Sequence, residues 1–265
     1  MMPFSASAAG WAARRGERSG GAGTRRGGDF SDPEEQANVI RAFVKSVDDK
    51  LPIIAGITGE GRKGCAGGER AVAAGASAGL LYPSHGWLRF GYQDGAPQDR
   101  YRVVYEESGL PLILFQYPDV TKATYNLKTL LDISAQPGVF AMKNGVRNMR
   151  RWDTEIPVIR RERPDLQILS CHDEYLLHTA FDVDGFLVGY GNIAPEPLIE
   201  MIKAGKAGDY VKARELHDRL LPVTKASTTA VRTWKVPWPL NMLWLRAGSL
   251  NMPPFALAAA ARKWR

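Results

Sequence analysis

The sequence predicts an α/β fold, and three observations carry that prediction. Short apolar runs recur between about residues 33 and 221. Each is followed by a longer stretch with helical periodicity, and no change in composition marks a second domain within that span. The strand candidates are residues 52–55, 78–82, 111–115, 139–142, 167–170 and 185–188. All are rich in Val, Ile, Leu, Ala or Phe without polar alternation, as expected for parallel strands buried on both faces. Helical patterns occupy residues 33–47, 69–76, 97–108, 127–133, 147–161 and 174–180, with two more at 195–204 and 209–220 after the last strand. A doubly wound sheet and a closed barrel share this alternation, so periodicity alone leaves both open.

Length and composition agree with one large domain. The chain has 265 residues, 45% of them apolar and 24% charged, enough to bury a full core. Cys65 and Cys171 are the two cysteines, too few for a disulfide framework, so a reducing, cytoplasmic setting is expected. No apolar run approaches the roughly 20 residues of a membrane helix, and the N-terminus shows no continuous apolar core of a signal peptide.

The net charge of +7 is unevenly placed. Residues 1–30 carry +3 and residues 225–265 carry +7, which leaves −3 on the body between them. A nucleic-acid groove wants its basic residues on the folded body, so a basic nucleic-acid-binding protein is a disfavoured alternative. The two ends also differ in kind from the body. Residues 1–28 are rich in Gly, Ala, Ser and Arg, with no strand pattern. Residues 226–265 hold four of the seven tryptophans, several prolines and no acid. Disordered tails are usually poor in Trp. A reading-frame difference in the gene is another explanation, because codons permitted for residues 233–244, read one base earlier, can spell a helix-forming segment. The expected organisation is therefore an atypical segment over 1–28, a body over 29–190, C-terminal helices over 191–225 and an atypical basic tail over 226–265.

Two motifs in the body invite chemistry. Gly59-Glu60-Gly61-Arg62-Lys63-Gly64 matches a dinucleotide-binding fingerprint after a strand, but the next strand ends Leu80-Leu81-Tyr82-Pro83-Ser84 without the acid that would hold a ribose. Those glycines are expected to form a loop. Lys143 ends the apolar strand Val139-Phe140-Ala141-Met142 and precedes the turn pair Asn144-Gly145. A lysine there sits at the face where parallel α/β folds build their sites. Burial makes a neutral amine available for imine formation with a carbonyl, whereas a lysine that snorkels to solvent is the plain alternative.

A longer pattern decides between these. Leu112-Ile113-Leu114-Phe115-Gln116-Tyr117-Pro118, then Phe140-Ala141-Met142-Lys143, then Gly185-Phe186-Leu187-Val188-Gly189-Tyr190-Gly191-Asn192-Ile193-Ala194-Pro195 resembles the dihydrodipicolinate synthase / N-acetylneuraminate lyase family from about Asp29 to Lys225. The resemblance implies a (β/α)₈ TIM barrel with a C-terminal helical extension, though the first strands are poorly represented. It also implies a homotetramer, no cofactor or metal, and a lysine Schiff base to pyruvate or a related 2-oxo acid. Lys143 falls on that lysine.

Three departures accompany the resemblance. Phe115 stands where the family has its catalytic tyrosine, and a phenyl ring cannot relay protons. Tyr117, two residues on and on the same strand face, is a candidate replacement. Val120 stands where dihydrodipicolinate synthases carry an arginine for the aldehyde's carboxylate, which turns the expectation from lysine biosynthesis towards a sugar-acid or aromatic 2-oxo acid. The family's carboxylate-binding Gly-Thr-Thr-Gly-Glu loop has only a poor match around Gly23-Thr24-Arg25, with Thr24 as a weak substrate-binding candidate. His85 falls near a family tyrosine that crosses a subunit interface, and is a second candidate relay. Leu187 falls where the family packs a residue beside the keto acid. Cys171-His172-Asp173 lacks convergent metal-ligand spacing, and Asp173 is expected to cap the following helix.

The expected function is thus a lyase, aldolase or dehydratase, acting through Lys143 on a small 2-oxo acid, with no nucleic-acid or membrane partner. An inactive barrel, retained as an assembly subunit, is the alternative that Phe115 raises.

Overall fold

A computed structural model describes residues 32–47, 51–116, 124–192 and 194–232, with the backbone alone at residues 85, 88, 89, 192, 223 and 226–232. The described residues form two compact units that meet in sequence between Cys171 and His172.

The first unit begins with α1 (Pro33–Val47), whose buried Ala37, Ile40, Phe43 and Val47 recur at helical spacing. It continues through β1 (Ile54–Ile57), α2 (Arg62–Ala73), β2 (Ala78–Leu81), α3 (His85–Phe90), α4 (Ala96–Ser108) and β3 (Leu112–Gln116). Then come α5 (Leu127–Ser134), β4 (Val139–Asn144), α6 (Met149–Glu162) and β5 (Gln167–Ser170). The strands pair in parallel in sequence order, β1 to β2, β2 to β3, β3 to β4 and β4 to β5. Every residue of β2 and β3 is buried, which is why these runs carry no polar alternation.

The α/β prediction is therefore met. A (β/α)₈ barrel has eight strands; among the described residues there are six. The segment over 1–28, whose sequence shows no strand pattern, lies outside the described residues, as does the tail from 233 onward.

The glycine-rich stretch corrects a sequence expectation. Gly59 and Gly61 lie in the loop after β1 as expected, but from Arg62 onward, through Gly64, Gly67 and Gly68, the stretch is helical. The glycines serve close packing: a Cβ on Gly68 would meet the Ser108 side chain at 2.8 Å, so α2 can approach α4 only where side chains are missing. Gly-rich composition misled because it reports conformational freedom and close approach alike. Helices α5 and α6 begin conventionally, with Asn126 accepting from the Thr129 N–H at 2.8 Å and Asn148 from the Arg151 N–H at 3.1 Å.

The second unit holds α7 (Leu176–Thr179), β6 (Gly185–Phe186), a 3₁₀ turn (Gly189–Asn192), α8 (Pro195–Lys206) and α9 (Tyr210–Arg232). Helix α9 runs further than the pattern over 209–220, passing through Pro222. Asp173 does not cap α7. Its carboxylate accepts from the N–H groups of Tyr190 at 2.9 Å and Gly189 at 3.3 Å, so it holds the start of the 3₁₀ turn. Tertiary folding brought unpaired amides from 16 residues away within reach of Asp173. No described helix is long and apolar enough to cross a membrane.

Candidate active site

The site is built at the C-terminal ends of β2, β3 and β4. Register alone sets its first feature. Phe115 pairs with Lys143, and Lys143 with Leu169, so these side chains form a row on one face of three adjacent strands. Lys143 is half-buried, and its Nζ lies 4.8 Å from the centroid of the Phe115 ring. That is within the distance at which an aromatic face attracts a cation. Phe115 and Leu169 are both buried, so the amine emerges between apolar walls.

Tyr82, the residue after β2, extends this row. Its ring packs against Phe115 with centroids 5.0 Å apart and planes at 71°, an edge-on contact. Its backbone is fixed on both sides: the N–H donates to the Ile57 carbonyl at 3.0 Å, and the carbonyl accepts from Arg100 Nε at 3.0 Å. Arg100 Nη2 also donates to the Gly59 carbonyl at 2.8 Å. One guanidinium thus ties the loops after β1 and β2 together. Burial pulls its pKa below the usual value. Glu60 braces the same rim, accepting from Ser84 Oγ at 2.9 Å and the Gly86 N–H at 2.7 Å. A carboxylate at that place is unsuited to a phosphate, which argues for a structural role of the fingerprint motif.

One residue further along β3 and β4, the opposite face carries a different pair. Gln116 and Asn144 are fully buried, and Gln116 Nε2 donates to Asn144 Oδ1 at 3.2 Å. The same oxygen accepts from the Val146 N–H at 3.0 Å. Gly145 N–H donates to the Gln116 carbonyl at 2.9 Å. Three bonds therefore hold the turn directly after Lys143.

Behind the sheet, Tyr101 of α4 is completely buried. Its hydroxyl donates to the Leu81 carbonyl at 3.0 Å and accepts from the Phe115 N–H at 3.1 Å, which joins β2 to β3 just below the site. Burial pushes its pKa up to about 12. Burial likewise raises Tyr125 well above its ordinary value, and neighbouring Tyr101 adds to the effect.

The other sequence candidates fall as follows. Tyr117, Val120 and Thr24 lie outside the described residues. His85 begins α3, where only its backbone is described. Leu187 follows β6 in the second unit. Sequence reasoning missed Tyr82, Gln116 and Asn144. The available signal was parity: Tyr82 is one residue beyond the last buried leucine of β2, and both amides close strands that begin with apolar runs.

Comparison with known proteins gives this arrangement its relatives. A 4-hydroxy-tetrahydrodipicolinate synthase of Pseudomonas aeruginosa is 28% identical over 230 residues, covering 84% of this chain and 75% of the relative. The enzyme of that name from Neisseria meningitidis serogroup C is 30% identical over 200 residues, 72% of this chain and 64% of the relative. Among solved structures, N-acetylneuraminate lyase from Fusobacterium nucleatum aligns with a TM-score of 0.76 at 14% identity, over 91% of this chain and 84% of that one. A prophage protein of the dihydrodipicolinic acid synthase family from E. coli K12, solved in complex with pyruvate, aligns at 0.71 and 21% identity, over 84% and 75%. The model of the dihydrodipicolinate synthetase family matches residues 23–263, further at both ends than the motifs alone extend, and the chain belongs to that family.

Proposed function

We propose that the chain is a lyase of (β/α)₈-barrel type that forms a Schiff base between Lys143 and pyruvate or a related 2-oxo acid. The observation that carries this reading is Lys143 itself: a half-buried amine at the mouth end of β4, flanked by Phe115 and Leu169, in a chain of this family. Attack of the amine on the C2 carbonyl gives a carbinolamine, and loss of water gives an iminium. The iminium then accepts the electron pair of an adjacent C–C or C–O bond as that bond breaks. Apolar walls strengthen this electron sink by excluding water. Val120, at the position matching the family's arginine, supports a partner substrate other than a carboxylate-bearing aldehyde, such as a sugar acid or an aromatic 2-oxo acid. Thr24, Leu187 and His85 belong to the proposal as contacts for the substrate or its protons. So do a cytoplasmic homotetramer and the absence of an organic cofactor.

Borohydride reduction in the presence of pyruvate tests this reading. The full chain is expected to gain a reduced pyruvyl group on the peptide containing Lys143. A folded chain that stays unlabelled would sink the proposal. The rival reading, an inactive barrel, draws on Phe115 at the tyrosine position; it predicts no cleavage of any 2-oxo acid by a chain that still binds one.

A further inference from the structure

We propose that Tyr82 supplies the proton relay of this site, in place of the hydroxyl that Phe115 lacks. The inference rests on the Schiff-base reading of Lys143 and adds a catalytic residue to it. Continuing the β2–β3 register one residue past the Leu81–Leu114 pair sets Tyr82 opposite Phe115, and Phe115 is itself opposite Lys143. Three neighbouring strands therefore present Tyr82, Phe115 and Lys143 as one row. The contacts agree: 5.0 Å from the Tyr82 ring to the Phe115 ring, and 4.8 Å from that ring to the amine. The Phe115 ring is thus in contact with both the amine and Tyr82, and a short oxo acid joined to Lys143 and lying over that ring would extend towards Tyr82.

Accessibility also favours Tyr82. It is half-buried, and its backbone is pinned by Ile57 and Arg100. The other described tyrosines of this unit are fully buried or held away from this row. Tyr101 is wholly buried between Leu81 and Phe115. Tyr125 is fully buried. Tyr92 donates to the Thr124 carbonyl at 2.6 Å. Tyr105 packs beneath Gly138, at the opposite end of β4 from Lys143.

The chemistry balances with one phenol. Its O–H protonates the departing hydroxyl of the carbinolamine, which releases water and leaves an iminium beside a phenolate. The phenolate then takes a proton from C3. The C–H electron pair forms the enamine double bond as the iminium π pair returns to nitrogen, and the phenol is restored.

The test follows pyruvate C3 protons exchanging with D₂O by proton NMR, alongside borohydride trapping on the same samples. For Tyr82→Phe the expected result is an undiminished final yield of trapped adduct with exchange slower by about 100-fold, the scale of a general acid–base contribution. Returning a hydroxyl to the row with the double variant Tyr82→Phe/Phe115→Tyr is expected to recover most of the exchange. Exchange within about two-fold of the unaltered chain in Tyr82→Phe, with trapping intact, would overturn the proposal. So would a double variant that traps pyruvate yet fails to recover exchange. No adduct in the unaltered chain removes the Schiff-base reading and this inference together, an outcome distinct from the first two.

Discussion

Two rows of side chains, one residue apart on the same pair of strands, do opposite jobs. Phe115 and Lys143 face the site, where the lysine is half-buried and its amine stands over an aromatic ring. Gln116 and Asn144 face the other way, fully buried and hydrogen-bonded to each other. Strand alternation produces both rows from consecutive residues. On the proposed function the difference separates reactivity from rigidity: a reactive group needs access, and its support needs burial. The support is imperfect, since Gln116 Oε1 and Asn144 Nδ2 have no hydrogen-bond partner among the described residues. Buried polar atoms left this way cost stability, so the amide pair stabilises the turn at some expense to the fold as a whole.

Breaking the first row has the largest expected effect. Lys143→Ala should abolish the borohydride-trapped adduct and any lyase turnover, while leaving the melting temperature nearly unchanged. Persistent labelling elsewhere in that variant would move the nucleophile to another lysine.

Breaking the second row should do the reverse. Asn144→Leu removes the acceptor for both the Gln116 side chain and the Val146 N–H, and should cost about 1–3 kcal/mol by chemical denaturation. Gln116→Met deletes one bond but also an unpartnered oxygen, so its cost should stay below about 1 kcal/mol. Equal costs for the two would show that Asn144 does not brace the turn.

Tyr101 links the two faces from behind, and its effect depends on pH. Its folded pKa is raised from 10.0 to about 12, so the folded chain holds the proton more tightly than the unfolded chain does. The stability this contributes is fully present below the unfolded value and is lost as pH rises towards the folded one. Unfolding free energy should therefore fall across pH 10 to 12, by up to about 1.4 kcal/mol per pH unit. Tyr101→Phe should flatten that slope, although Tyr125, shifted in the same direction, will keep part of it. A slope unchanged by Tyr101→Phe would assign the alkaline loss to other groups.

The smallest effect concerns the rim. Glu60→Gln keeps an acceptor for Ser84 Oγ and the Gly86 N–H but removes the charge, and should cost about 0.5–1 kcal/mol. A larger loss would mean that the carboxylate organises more of the loop after β2 than these two bonds.

The strands were the easiest part to read. Residues 167–170 match β5 end to end, and the other five candidates overlap β1–β4 and β6, because strands buried on both faces are apolar over most of their length. Helix α1 was equally plain, since its buried positions recur at the helical period. Helix α2 was obscured, because its glycines are selected by contact with α4, and contact leaves no periodic trace. The short α3 was not foreseen either; six residues are too few to show a period.

Lys143 was legible from its own neighbourhood. It ends an apolar run before an Asn-Gly turn, and the motifs around it belong to one family. The sequence by itself thus determined the α/β fold class and singled out the amine on which the proposed function rests. Only the tertiary structure decided what surrounds that amine. Tyr82 and Lys143 are 61 residues apart in the chain, and parallel register across three strands sets them in one row. The same register puts Gln116 and Asn144 on the opposite face. The physical reason is that local sequence sets which face each residue takes, while the alignment of separate strands sets which residues share it.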